Sequence, residues 1–216
     1  MDKAKRIAEA QRLLAHARVA TTKGALNIAE VDNSRTRFKL EMATINWKAF
    51  VSSAQYHYFV GRILLSKGVH LYGLFCGHQC IENYLKAYLV SLGKGAPPTI
   101  HQLVGLLREA RSASSTPPPF VVSGDIETIC QKFEPFYELG RYPAQVTRPK
   151  DGKYLAIPSV DLHVLDYFVH EMRALLPLDP KDWDIFGTLG HIDLEHVREL
   201  HPDFYSIFAS GNINFA

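Results

Sequence analysis

His78, Glu82 and Lys86 stand four residues apart from one another in GHQCIENYLKAYLV, a spacing that lines them along one side of a helix. A carboxylate between an imidazole and an ammonium can hold a proton carrier in place in a groove, or it can simply pair with Lys86. Further along, Arg141 and Arg148 flank Tyr142. Guanidinium groups beside a phenol ring can grip a phosphate and stack on a base. Plainer roles exist for the same residues: Arg141 can pair with Glu138 or close the end of its own helix, and Tyr142 can pack. His101 follows Pro97 and Pro98, where it can orient the turn that opens the next helix.

Metal and cofactor chemistry finds little support in the spacing. Thiolate and imidazole bind zinc well, yet His78 lies two residues from both Cys76 and Cys80 and points to the other side of the helix. His191, His196 and His201 recur every five residues, which turns each about 140° from the last and gives no common ligand face without a bend. A glycine-rich phosphate loop, a nucleophile elbow and a paired-cysteine zinc pattern are all missing. The reading is no metal and no cofactor, with any site lying in a groove between helices.

The elements that would carry these residues are helical. Asn46 is placed to cap a first helix whose stripe is Trp47, Phe50, Val51, Ala54, Tyr58 and Leu65, ending at Ser66, Lys67 and Gly68. Leu71, Leu74, Phe75, His78, Ile81, Leu85, Tyr88, Leu89 and Leu92 recur at steps of three and four in the second, with Gln79, Asn83 and Lys86 on its other side. Glycines and prolines at 93–98 stop it, and Thr99 is expected to cap a third helix with Ile100, Leu103, Val104, Leu107 and Ala110 inside. SASSTPPP is a loop. A fourth helix spans Ile126 to Tyr137, interrupted at Pro135, and a small hairpin or excursion loop is expected between Arg141 and Pro158. Ser159 is expected to cap a fifth, with Val160, Val164, Tyr167, Phe168, Met172 and Leu175 facing the core.

The sequence from Asn46 to Leu176 resembles the HEPN family, through HQCIENYLKAYL in the second helix, TIHQLVGLL opening the third and ELGRYP, Glu138 to Pro143, after the fourth. The resemblance implies an all-α, up-and-down bundle of about five main helices, usually dimeric. It also implies work on RNA or nucleotides, in bacterial stress, toxin-antitoxin or anti-phage systems, or as a partner of a nucleotidyltransferase or an antitoxin. Catalytic members are metal-independent ribonucleases with a histidine four to six residues after an arginine. Arg141 matches that arginine, but Gln145, Val146 and Thr147 fill the histidine window and the next histidine is His163. An arginine that keeps its proton stabilises phosphate charge but is a poor base. A binding module using Arg141, Tyr142, Arg148, His78, Glu82 and His101, without efficient cleavage, is therefore the first expectation. An endoribonuclease pairing Arg141 with His163, His78 or His101 is the alternative.

A chain of 216 residues with a formal net charge of +2 is long enough to bury a core unaided and is no general polycation. Three domains are expected: a basic helical extension over 1–45, the bundle over 46–176, and an acidic, aromatic tail over 177–216 that packs on the bundle or on another subunit. Three cysteines suit a reducing, cytoplasmic setting better than a disulfide framework. The apolar runs are too short for membrane insertion, and the first residues lack the core of a signal peptide.

Overall fold

The computed structural model describes residues 46–93, 95–141, 158–182, 184–186, 207–208 and 211–215. The chain divides into two units, 1–45 and 46–216, and the described residues belong to the second. Helices follow one another as α1 (Trp47–Ser66), α2 (His70–Ser91), α3 (Leu103–Ala113), α4 (Pro119–Val122), α5 (Gly124–Phe133), α6 (Phe136–Arg141) and α7 (Pro158–Leu175), with a 3-10 helix at Ile213–Phe215. There is no strand among the described residues. The architecture is the all-α bundle expected; the hairpin expected between α6 and α7 lies outside the described residues.

Local chemistry fixes the first two rods. The Asn46 side chain accepts from the Lys48 amide and starts α1, which satisfies one of the free donors of the first turn. At the other end Gly68 takes φ of 79°, a left-handed turn that glycine adopts without a Cβ penalty. The chain then doubles back into α2, the rod against which α1, α3, α5, α6 and α7 all pack. Its buried residues go nearly all the way round: Cys76, Tyr84, Leu74, Leu89, Glu82 and Lys86 are covered. A helix covered on all sides must contact several neighbours.

Two glycines let the shorter helices approach α2. A Cβ on Gly77 would lie 2.4 Å from the Phe133 ring, and one on Gly140 would lie 2.5 Å from the Phe75 ring. Their missing side chains are what seat the end of α5 and the whole of α6 against α2.

Three local expectations need correcting. Helix α3 begins at Leu103, not at Thr99, and Gln102 at its N-cap gives no side-chain hydrogen bond. The cap comes from across the fold, where the Glu134 carboxylate accepts from the Val104 amide at 2.7 Å. Lys86, expected outside, is 8% exposed, drawn in by a carboxylate described below. On α7, Val160 and Tyr167 are exposed while Leu165, Phe168, Val169, Met172 and Leu176 are buried. The helix is turned because two of its carboxylates face inward with partners. Asp161 meets Lys132 at 2.6 Å, and Asp166 accepts from Arg62 and, at 2.6 Å, from the Tyr58 hydroxyl. Burial and Asp166 push the Tyr58 phenol well above its ordinary pKa, so it remains a donor.

Aromatic residues beyond α7 close the core over α1. Phe59 has Phe186, Phe208 and Phe215 around it at ring distances of 5.5, 4.7 and 6.3 Å. Arg62 also donates to the Ile207 carbonyl at 2.7 Å, tying the same segment to the buried pair.

Candidate functional site

The polar residues of α2 converge on Glu82, which is 4% exposed. One carboxylate oxygen accepts from Lys86 Nζ at 2.8 Å and from His101 Nδ1 at 2.9 Å. The other accepts from the Gln79 amide at 3.2 Å and faces His78 Nε2 at 3.4 Å. Burial raises the pKa of a carboxyl, but hydrogen bonds from His78, Lys86 and His101 outweigh it and hold Glu82 down at about 2. It is an anion throughout the physiological range.

His78 is fully buried and its Nδ1 donates to the Phe133 carbonyl at 3.2 Å, at the close approach that Gly77 permits. With both nitrogens turned inward, it is out of reach of a ligand in solution. His57 on α1 is half-buried; burial lowers its pKa and Glu82 pulls it partly back.

His101 carries the cluster outward. Its side chain is 47% exposed, and its ring lies nearly parallel to Tyr137 of α6, with centroids 4.8 Å apart and planes 14° from each other. Arg141, one turn further along α6, donates to the Tyr137 hydroxyl and lies with its guanidinium carbon 5.1 Å from that ring's centroid. The four groups form one chain: Glu82, His101, Tyr137, Arg141. The last three line a groove of about 630 Å3 with Thr99, Ile100, Gln102, Glu134, Pro135 and Glu138. Glu134 is engaged at the start of α3, whereas Glu138 is exposed at the rim. An anion in the groove is thus favoured on the side of Arg141 and repelled near Glu138.

Of the sequence candidates, His78, Glu82, His101 and Arg141 meet in this cluster. His163 does not line the groove; it is exposed on α7 beside Gly211. Tyr142 and Arg148 lie outside the described residues, as do His191, His196 and His201. Tyr137 enters the sequence reading only as the end of the fourth helix, although its four-residue spacing to Arg141 on a helix is a readable signal. Gln79 and His57 were missed as well, and nothing in the sequence marks His57 as a neighbour of Glu82.

Other chemistries find no footing among the described residues. No group of three or more histidine, cysteine or acidic side chains there could hold a metal ion. Cys76, Cys80 and Cys130 are free and buried, and burial pushes the Cys130 thiol up to about 12, far from the reactive thiolate form. No described helix is long and apolar enough to cross a membrane.

Comparison with known proteins agrees with this geometry. The family model of the HEPN domain matches residues 47–156, from the first residue of α1 through all of α6. No curated protein and no solved structure matches the chain. The matched stretch is just over half of the sequence and carries every member of the Glu82 to Arg141 chain, so the protein belongs to the HEPN domain family.

Proposed function

We propose that this chain binds RNA or a nucleotide in the groove between the start of α3 and α6, and that cleavage there is slow at best. The observation behind this reading is the exposed Arg141 set beside the stacked His101 and Tyr137 rings. A guanidinium supplies planar donors for phosphate oxygens, and an aromatic shelf accepts any base face. Membership of a family tied to nucleotides and RNA supports the same choice of ligand. Slow cleavage follows from Gln145, Val146 and Thr147 in the window where active relatives hold a histidine.

Fluorescence anisotropy with a labelled single-stranded RNA, and separately with a labelled nucleotide, tests the reading. Arg141→Ala is expected to weaken binding roughly 10- to 100-fold, the worth of a hydrogen-bonded charge pair. Arg141→Lys should restore only part, because an ammonium lacks the two-pronged geometry. Equal affinity for wild type and Arg141→Ala would exclude the groove as the binding site.

A further inference from the structure

His101 stands between a buried anion and an open groove. Glu82 is ionised and a carboxylate only accepts, so the 2.9 Å bond from His101 Nδ1 to its oxygen keeps a proton on that nitrogen. A neutral ring held in this way gains its second proton at Nε2. The side chain is 47% exposed at the groove wall, so the proton arrives from water without any opening of the fold. His78 has the same anion for a neighbour but is fully buried and offers the groove no charge.

The charge balance of the groove turns on that one proton. Of the residues described along it, Arg141 is the cation, while Glu134 and Glu138 are carboxylates. With His101 neutral the balance is unfavourable to an anion. With His101 protonated, a second cation stands beside the same Tyr137 ring to whose hydroxyl Arg141 donates. Glu82 supplies its counter-charge from behind, in a place that water does not screen.

We propose that His101 is a proton-operated switch on the affinity of this groove: its imidazolium helps Arg141 hold a phosphate of the bound RNA, its neutral form lets that phosphate go, and Glu82 is its positioning residue. The inference rests on the binding reading above and adds the regulation of that site by pH. Binding and protonation are linked in both directions, so acid strengthens binding and a bound phosphate strengthens the hold on the proton.

Two sets of groups set where the switch turns. Glu82 faces His101 from α2, with Lys86 and His78 on the same carboxylate and His57 of α1 acting on it. Tyr137, Glu138 and Arg141 of α6, with Glu134 after α5, border the groove.

Anisotropy of a labelled oligouridylate without terminal phosphates, read on the full chain at constant ionic strength, tests the switch. Neither uracil nor a phosphodiester changes charge between about pH 5.5 and about pH 8, the window in which imidazole titrates. Binding should be about 10-fold tighter at the acid end, the worth of one added charge at a half-exposed wall. His101→Gln keeps a side-chain donor for Glu82 and should bind with one affinity across the range, near that of the wild type at the alkaline end. Glu82→Gln should move the midpoint of the curve to lower pH, because the imidazolium loses its counter-charge; a midpoint that stays in place removes Glu82 from the positioning role. In the wild type, the NMR ring signals of His101 should titrate with the same midpoint, and RNA should raise it. His163→Ala should keep the full pH dependence. RNA that binds equally at both ends of the range, or a pH dependence that survives His101→Gln, overturns the switch and leaves the binding reading standing. Absence of RNA binding at every pH overturns both.

Discussion

Glu82 is a buried carboxylate whose environment departs far from that of a free side chain. Gln79, Lys86 and His101 bond, and the His78 ring faces, a carboxylate that the fold has taken out of water. Its carboxyl is held at about 2 when folded, below the roughly 4.3 of an unstructured chain. Folding therefore gains stability from this group above pH ~4.3, and the gain disappears as pH falls toward 2. The shift corresponds to roughly 3 kcal/mol. Urea midpoints for wild type and Glu82→Gln should differ most near neutrality and converge between pH 5 and pH 2; parallel curves would contradict the assigned charge state. The four-residue steps in the sequence announce this pairing with Lys86. They cannot announce His101 or Tyr137 as further members, because those contacts join helices separated by a proline-rich turn and by α5.

At the scale of elements, the groove depends on how closely α6 sits on α2. Gly140 is where that closeness is set, since an added methyl would meet Phe75 at 2.5 to 2.6 Å, including its Cβ, which cannot swing away. Gly140→Ala should cost about 1–3 kcal/mol through overpacking and also weaken RNA binding, because Arg141 and Tyr137 move with the helix. Thermal melts and anisotropy on the same samples check both effects; a melt unchanged within error would show that α6 floats. Glu134 illustrates why helix starts are hard to read from sequence. Thr99 has the right chemistry for a cap, yet the start of α3 at Leu103 is served by a carboxylate thirty residues away. The phase of α7 escaped for a related reason. An apolar stripe counted from Val160 overlooks that Asp161 and Asp166 can be buried once Lys132, Arg62 and Tyr58 neutralise or bond them.

Across the whole described unit, hydrophobic spacing made the all-α bundle legible, and the central place of α2 follows from apolar and small residues on nearly every side of it. What spacing could not give was the seating of Phe186, Phe208 and Phe215 around Phe59, which joins residues far apart in sequence. Phe59→Ala should remove the centre of that cluster at a cost of about 3–5 kcal/mol. Its ring does not line the groove, so RNA affinity at low temperature is expected to survive while the melting temperature falls. Equal loss of both would mean that the aromatic cluster and the groove are one cooperative device.

The central claim, that RNA or a nucleotide is held between His101, Tyr137 and Arg141, is tested most directly by NMR titration with a short single-stranded RNA. The side-chain guanidinium signal of Arg141 and the ring signals of His101 and Tyr137 should move together and saturate at one concentration, with those of His163 unmoved. Shifts that cluster elsewhere, with these three silent, would contradict the account.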